Sequence, residues 1–211
     1  MKTIESAAHT LRQRQNSRET STFSGPHIPA DPAKLERYLA NTLAAIVEDG
    51  DVDTAHVKEV ASWLTGEKTT PWLLLTGNPG TGKSTMLRAV MMIFRVIGAE
   101  FKKFPASDLP TIFLDNYELA VAQIMGGSWC RYLLLDDVGT EPVAVKSFGN
   151  EVYPFVRVVE ARYDRRLPLI ITSNLAPGDF LDRYGIRTHD RMRELCTVVG
   201  FTGESFRGRN K

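Results

Sequence analysis

The chain has 211 residues, a formal net charge of +1, 43% hydrophobic residues and 24% charged ones. That length holds one sizeable α/β core with a small appendage and is too short for two full domains, while the near-neutral balance excludes nucleic-acid binding through bulk positive charge and leaves it to local basic patches. The start at Met1-Lys2-Thr3-Ile4-Glu5 lacks an apolar signal core and no apolar run reaches membrane length, so a cytoplasmic protein without a membrane partner is expected.

The two cysteines, Cys130 and Cys196, lack metal-ligand spacing and cannot frame a disulfide scaffold; both are expected as buried thiols in a reducing compartment. Residues 1–30 are polar, carry Arg12, Arg14 and Arg18, and end in Gly25-Pro26 and Pro29. They read as a flexible N-terminal arm with one short helix near residues 7–15, serving either as a docking segment for a partner or DNA or as a solvated tail.

Residues 31–70 read as a helical lead-in. Asp31-Pro32 offers an N-cap with proline at the first helical position, and Leu35, Leu39, Leu43 and Ile46 or Val47 recur at helical spacing up to Gly50. A second helix is capped by Asp53, striped by Val57, Val60, Ala61 and Leu64, and ended by Gly66. Each has a single apolar face, so both are expected to pack on the core that follows. His56 has no partner at ligand spacing and reads as a surface or boundary residue.

The core, residues 71–211, opens with the apolar run Trp72-Leu73-Leu74-Leu75 and then Gly77, Asn78, Pro79, Gly80, Thr81, Gly82, Lys83, Ser84 and Thr85. A glycine, four residues and Gly-Lys-Ser between a buried strand and a helix is the context a phosphate loop requires. The glycines permit backbone conformations that turn successive N–H groups inward around a polyphosphate, and the helix start adds its positive dipole end. Lys83 is assigned to the β and γ phosphates of ATP, and the Ser84 hydroxyl to Mg²⁺.

The helix after the loop is apolar nearly all round, from Met86 to the stop at Gly98, and is expected to lie buried between the sheet and another layer. A strand over residues 100–104, a turn over 105–110 and a helix over 117–125 ending at Gly126-Gly127 follow. Tyr132-Leu133-Leu134-Leu135-Asp136-Asp137 is a buried strand closing in two carboxylates, which places them at the carboxyl edge of a parallel sheet beside the phosphate loop. Asp136 is assigned to holding Mg²⁺ through its water shell and Asp137 to orienting or deprotonating the attacking water. A helix is expected over residues 150–166, with Pro154 tolerated near its first turn. The apolar run from Leu167 to Ile171 ends in Thr172-Ser173-Asn174 and brings the Asn174 amide to the same edge, within reach of the γ-phosphate or the water. Short helices over 178–184 and 187–195, a strand over 198–201 and the arginines Arg183, Arg187, Arg191, Arg193, Arg207 and Arg209 complete the chain. The expected fold is an α/β P-loop NTPase with a central parallel sheet flanked by helices. Phosphate loops also occur in small-molecule kinases and in nucleotide-dependent binding modules with negligible turnover, but no acceptor-binding segment is evident.

Taken together, these landmarks resemble the AAA+ ATPases of the bacterial helicase-loader clade, typified by DnaC and DnaI, and the related transposition ATPase IstB. Asp136-Asp137-Val138-Gly139 is similar to that clade's Asp-(Asp/Glu)-aliphatic-Gly. Arg162-Tyr163, Pro168 and Thr172-Ser173-Asn174-Leu175 resemble the arginine and aromatic ahead of its sensor-1 strand, and Ser205-Phe206-Arg207 its closing Ser-aromatic-Arg. Tyr184-Gly185-Ile186-Arg187 through Asp190-Arg191-Met192-Arg193 is similar to the segment carrying the arginine finger, which the resemblance puts at Arg191, with Arg187 and Arg193 as alternatives. The likeness covers about residues 70–207. It implies a Mg-dependent ATPase that assembles with like subunits and acts with a replicative helicase or a transposase, together with single-stranded DNA, to remodel a DNA-bound complex. The chain departs from the clade in using Ser84 for its usual threonine and in carrying Asp137 where many AAA+ proteins carry glutamate, and neither a zinc-ligand cluster ahead of the core nor a full α-helical lid is expected.

Overall fold

A computed structural model describes residue 26 and residues 28–46, 54–115, 124, 131–147 and 149–202. The expected cap at Asp53, Gly50, Cys130, the helix over 117–125 apart from Ile124, and Ser205-Phe206-Arg207 lie outside the described residues. So does the expected arm up to residue 25. Where description begins, the chain is packed rather than free: Ile28 is buried and its amide donates to the Leu64 carbonyl at 2.9 Å.

In chain order the elements are α1 (Pro32–Ile46), α2 (Thr54–Thr65), β1 (Trp72–Gly77), α3 (Lys83–Ile97), β2 (Phe101–Pro105), α4 (Leu109–Asp115), β3 (Tyr132–Val138), β4 (Val145–Ser147) and β5 (Asn150–Val152). Then come α5 (Pro154–Asp164), β6 (Leu169–Ser173), α6 (Asp179–Tyr184), α7 (Ile186–Leu195) and β7 (Cys196–Phe201). Five strands form one parallel sheet in the order β2-β3-β6-β1-β7. The central strands are buried on both faces, which is why they read as unbroken apolar runs.

Each face of the sheet carries its own apolar layer. Leu73, Leu75, Leu134, Ile170 and Val199 point to the side covered by α1, α2 and α3. Their strand neighbours Trp72, Leu74, Leu133, Leu135 and Ile171 point to the side covered by α4, α5, α6 and α7. The result is a helix–sheet–helix sandwich. Asp31 caps α1 as its residue type dictates, its Oδ1 accepting from the Ala33 amide at 2.9 Å. Gly98 closes α3 with φ 68°, its amide and that of Ala99 returning to the carbonyls of Arg95 and Phe94.

Several boundaries differ from the sequence reading. α3 is not buried all round: Met86, Leu87, Val90, Ile93, Phe94 and Ile97 face the sheet, while Met92 and Val96 are exposed. The expected helix over 150–166 begins only at Pro154, because Asn150–Val152 pairs antiparallel with Val145–Ser147 in a hairpin. Pro154 thereby takes the first helical position, where its missing N–H costs nothing. The expected turn over 105–110 contains the start of α4 at Leu109. β7 starts at Cys196, directly after α7, and burial pushes the Cys196 thiol pKa up. Among the described residues, no helix is long and apolar enough to cross a membrane.

Candidate functional site

The carboxyl ends of β1, β3 and β6 meet at one edge of the sheet, and the sequence-assigned residues meet there with them. Ser173 of β6 stands opposite Thr76 of β1 on one side and Val138 of β3 on the other. Asn174 follows immediately and is exposed at this edge.

The loop after β1 depends on left-handed backbone at Gly77 (φ 141°), Gly80 (φ 82°) and Gly82 (φ 99°). Gly77 has a second reason to be glycine, since an added Cβ would lie 2.0 Å from the carbonyl oxygen of Phe201 at the end of β7. Gly82 caps α3, and the Thr81 hydroxyl donates to the Asn78 carbonyl at 2.8 Å. The Lys83 ammonium is folded over the loop, donating to the carbonyls of Gly77 and Asn78 at 2.7 Å each, and only 4% of the residue is exposed. Those bonds hold a positive charge at the centre of the loop on a long flexible stem.

Facing the loop, β3 breaks its register with β6. Leu135 pairs with Ile171 and Val138 with Ser173, so Asp136 and Asp137 together oppose the single residue Thr172. This is a β-bulge, and it throws Asp137 into the left-handed region at φ 57° with its side chain exposed. The Thr172 hydroxyl pins the bulge from both sides, donating to Asp136 Oδ1 at 2.6 Å and accepting from the Asp137 amide at 2.8 Å. Ser84 donates to the same Oδ1 at 3.1 Å, which ties the first turn of α3 to the acid strand. The Lys103 ammonium of β2 lies 2.7 Å from Asp136 Oδ2. Burial pushes the Asp136 pKa up, but the hydrogen bonds from Lys103 and Thr172, the charge of Lys103 and the Ser84 hydroxyl outweigh it and hold the carboxyl below its ordinary value.

An alcohol and an ionised carboxylate, both hard oxygen donors held side by side, suit Mg²⁺, which takes one or two protein oxygens and fills its octahedron with phosphate and water. Among the described residues no group of three or more His, Cys, Asp or Glu could hold a metal by protein ligands alone. The residues present therefore fit a metal that arrives with a nucleotide.

With this geometry in place, the sheet order and layers can be set against known structures. The chain superposes on a crystal structure of DnaI with a TM-score of 0.54 and 19% identity, over 82% of this chain and 93% of that one. On the crystal structure of the DnaC helicase loader the TM-score is 0.57 at 18% identity, covering 79% of this chain and 99% of that one. The chain shares its fold with these two proteins. A third structure, AMPPCP-bound DnaA from Aquifex aeolicus, gives a TM-score of 0.59 at 18% identity over 77% of this chain and 50% of that one. Among curated proteins, the chain is 22% identical over 138 residues to the replication factor C large subunit of Sulfolobus acidocaldarius, and 25% identical over 170 residues to that of Thermofilum pendens. These matches cover 65% and 79% of this chain but only 30% and 37% of the two relatives, so the chain spans about a third of their length. No protein-family profile matches it.

Around the core the arginines divide by burial. Arg162 is fully buried and donates to the carbonyls of Arg131 at 2.8 Å and Pro168 at 3.4 Å, at the amino ends of β3 and β6, away from the phosphate loop. Arg191 lies over the Tyr163 ring at 4.4 Å, with Asp164 at 3.7 Å and Glu160 at 4.0 Å. On the same helix Arg187 is 75% exposed at its side chain, 3.9 Å from Glu160, and Arg193 is exposed.

Three residues of this edge were not assigned a site role from sequence. Thr172 could have been singled out as a hydroxyl inside an otherwise apolar strand. Lys103 carried only the alternation of a short strand. Glu141 had no signal beyond following the two carboxylates: it is 1% exposed, accepts from the Gly139 amide at 2.8 Å and from the Tyr184 hydroxyl, and its own carbonyl accepts from Arg183. It latches the loop after Asp137 to the end of α6. Burial first, then the bond to Glu141 and its charge, push the Tyr184 phenol well above its ordinary value.

Proposed function

We propose that the protein is a Mg²⁺-dependent, cytoplasmic ATPase of the helicase-loader type, working as an assembly of like subunits on a DNA-bound replication complex. The observation that carries this reading is the convergence of the phosphate loop, the Ser84–Asp136–Thr172 hydrogen-bonded line and the bulged Asp137 at one sheet edge. In this reading Gly77 to Thr85 wrap the phosphates, Lys83 exchanges its loop carbonyls for the β and γ oxygens, and Ser84 and Asp136 hold Mg²⁺. Bound there, Mg²⁺ would neutralise charge on the phosphate oxygens. Asp137 orients or deprotonates the attacking water, and Asn174 hydrogen-bonds the γ-phosphate or that water. The exposure of both side chains at this edge supports these roles.

Arg191 is assigned as the residue that reaches the γ-phosphate of a neighbouring subunit. To do so its guanidinium leaves Tyr163 and Asp164, and Arg187 and Arg193 are the exposed alternatives on the same helix. Partners of replication type are supported by the names of the similar proteins, which include a helicase loader and a DnaA bound to AMPPCP and single-stranded DNA. The partner in this reading is a replicative helicase; a transposase, as for IstB, is the other outcome of the same capture experiment.

The test is calorimetry and turnover on three variants. Lys83→Ala is expected to lose tight Mg-ATP binding, Asp136→Asn to lose hydrolysis more than binding, and Asp137→Asn to bind ATP and stop turning over. Unchanged Mg-ATP affinity in Lys83→Ala overturns the site, and phosphate transfer to a nucleoside in place of release to water overturns the ATPase.

A further inference from the structure

The two oxygens of Asp136 have different companions. Among the described residues, Oδ1 takes the hydroxyls of Ser84 and Thr172, while Oδ2 takes the ammonium of Lys103, 2.7 Å away. β2 is the edge strand of the sheet, with Lys103 opposite Leu134 and Pro105 opposite Asp136, so the lysine stem runs along the strand direction to reach the acid. The side chain of Lys103 is 33% exposed against 13% for Asp136. An edge position and a four-carbon stem leave the ammonium a route into solvent that the carboxylate does not have.

The phosphate-loop chemistry assigned above has no use for this lysine. Its charge already neutralises the carboxylate that a divalent cation held by Ser84 and Asp136 would need, and two cations on one carboxylate repel each other strongly. We propose that Lys103 is a built-in competitor of Mg²⁺ for Asp136, a positioning residue that sets how much Mg²⁺ the site requires. It neutralises the buried carboxylate, holds it in the orientation Ser84 and Thr172 define, and would give way only to Mg²⁺ that comes with phosphate oxygens to complete its shell. A nucleotide without metal leaves the lysine in place. The protein thereby discriminates Mg-ATP from free ATP through a residue that touches neither the adenosine nor, in this arrangement, the phosphate loop.

This inference rests on the reading of Asp136 as the metal-holding acid, and the experiment separates the two. ATP affinity of the full chain is measured by calorimetry over a Mg²⁺ series beginning in excess EDTA, for wild type, Lys103→Met, Lys103→Gln, Lys102→Met and Asp136→Asn. The Mg²⁺ concentration giving half of the metal-dependent gain in affinity is expected to fall at least about tenfold in both Lys103 variants. It should stay at the wild-type value in Lys102→Met, which removes the same charge from the neighbouring position. An unchanged Mg²⁺ midpoint in both Lys103 variants overturns the proposal while leaving Asp136 in its role. If wild-type affinity does not depend on Mg²⁺, or Asp136→Asn keeps the full dependence, the reading of Asp136 itself fails. Should Lys103→Met not fold, Lys103→Gln, shorter but with a neutral polar donor, decides the question alone. As a second readout, Mg²⁺ without nucleotide is expected to raise the melting temperature of the Lys103 variants more than that of wild type; an equal shift counts against the proposal.

Discussion

Gly77 and Gly82 both have left-handed backbone, but only at Gly77 would an alanine methyl meet another atom, the Phe201 carbonyl oxygen at 2.0 Å; at Gly82 the same methyl meets open space. Gly82→Ala is therefore expected to cost only the backbone conformation, about 1–2 kcal/mol, while Gly77→Ala adds an overlap with backbone and costs about 2–4 kcal/mol. Urea unfolding of the two variants checks the order; equal losses would mean that β7 yields freely. Tyr184 offers a second test. Tyr184→Phe leaves Oε1 of the buried Glu141 without its hydroxyl donor while the Gly139 amide still serves Oε2, an expected loss of about 1–3 kcal/mol at neutral pH. The folded-state pKa of this phenol is raised, so its stabilisation is present in full below about pH 10 and declines as pH rises through the folded value. The wild-type advantage over Tyr184→Phe should shrink in alkaline unfolding experiments and stay flat between pH 6 and 9.

At the scale of elements, the bulge in β3 is a structural device rather than an irregularity. Two acids face one threonine, and Thr172 satisfies both the Asp137 amide and an Asp136 oxygen. Thr172→Val keeps the shape and removes the hydroxyl; it is expected to cost about 1–3 kcal/mol and to lower ATP turnover more than ATP affinity. Thr172→Ser should recover much of both, and a Thr172→Val enzyme with wild-type turnover would show that the bulge holds without its pin. This element also marks how far a sequence carries. The buried strands were legible because β1, β3 and β6 are apolar on both faces, and the phosphate loop was legible because its glycines and Lys83 are consecutive. The bulge was not, since nothing in Asp136-Asp137 tells which residue of a later strand will stand opposite. The hairpin of β4 and β5 was hidden for a related reason: three-residue strands carry too little alternation to outweigh the helical spacing of Val152, Phe155, Val156 and Val159. α3 misled through Met92 and Val96, apolar residues that the fold leaves exposed.

Across the whole molecule, the arginine helix and the acid edge are proposed to work in different subunits of one ring or filament. Arg191→Ala is expected to retain Mg-ATP affinity and to lose most turnover in the assembled state, on the order of a thousandfold. Mixing it with Asp137→Asn should restore part of the activity, because some interfaces then pair an intact Asp137 with an intact Arg191. Wild-type turnover by Arg191→Ala in demonstrably assembled protein moves the assignment to Arg187 or Arg193. The path from that helix back to the glycine loop of the same chain is short. α7 ends at Leu195 and β7 begins at Cys196 with no loop between them, and β7 is laddered to β1 from Trp72 opposite Cys196 to Gly77 opposite Phe201. At its far end, about 20 Å on, the strand's last carbonyl abuts Gly77, while the His56 ring stacks on Phe201 at 4.2 Å and hydrogen-bonds the Gly200 carbonyl at 2.8 Å. Helix, strand and loop are thus joined by continuous backbone and by a full strand ladder, so in the proposed assembly a neighbour that displaces α7 is expected to shift Phe201 against Gly77.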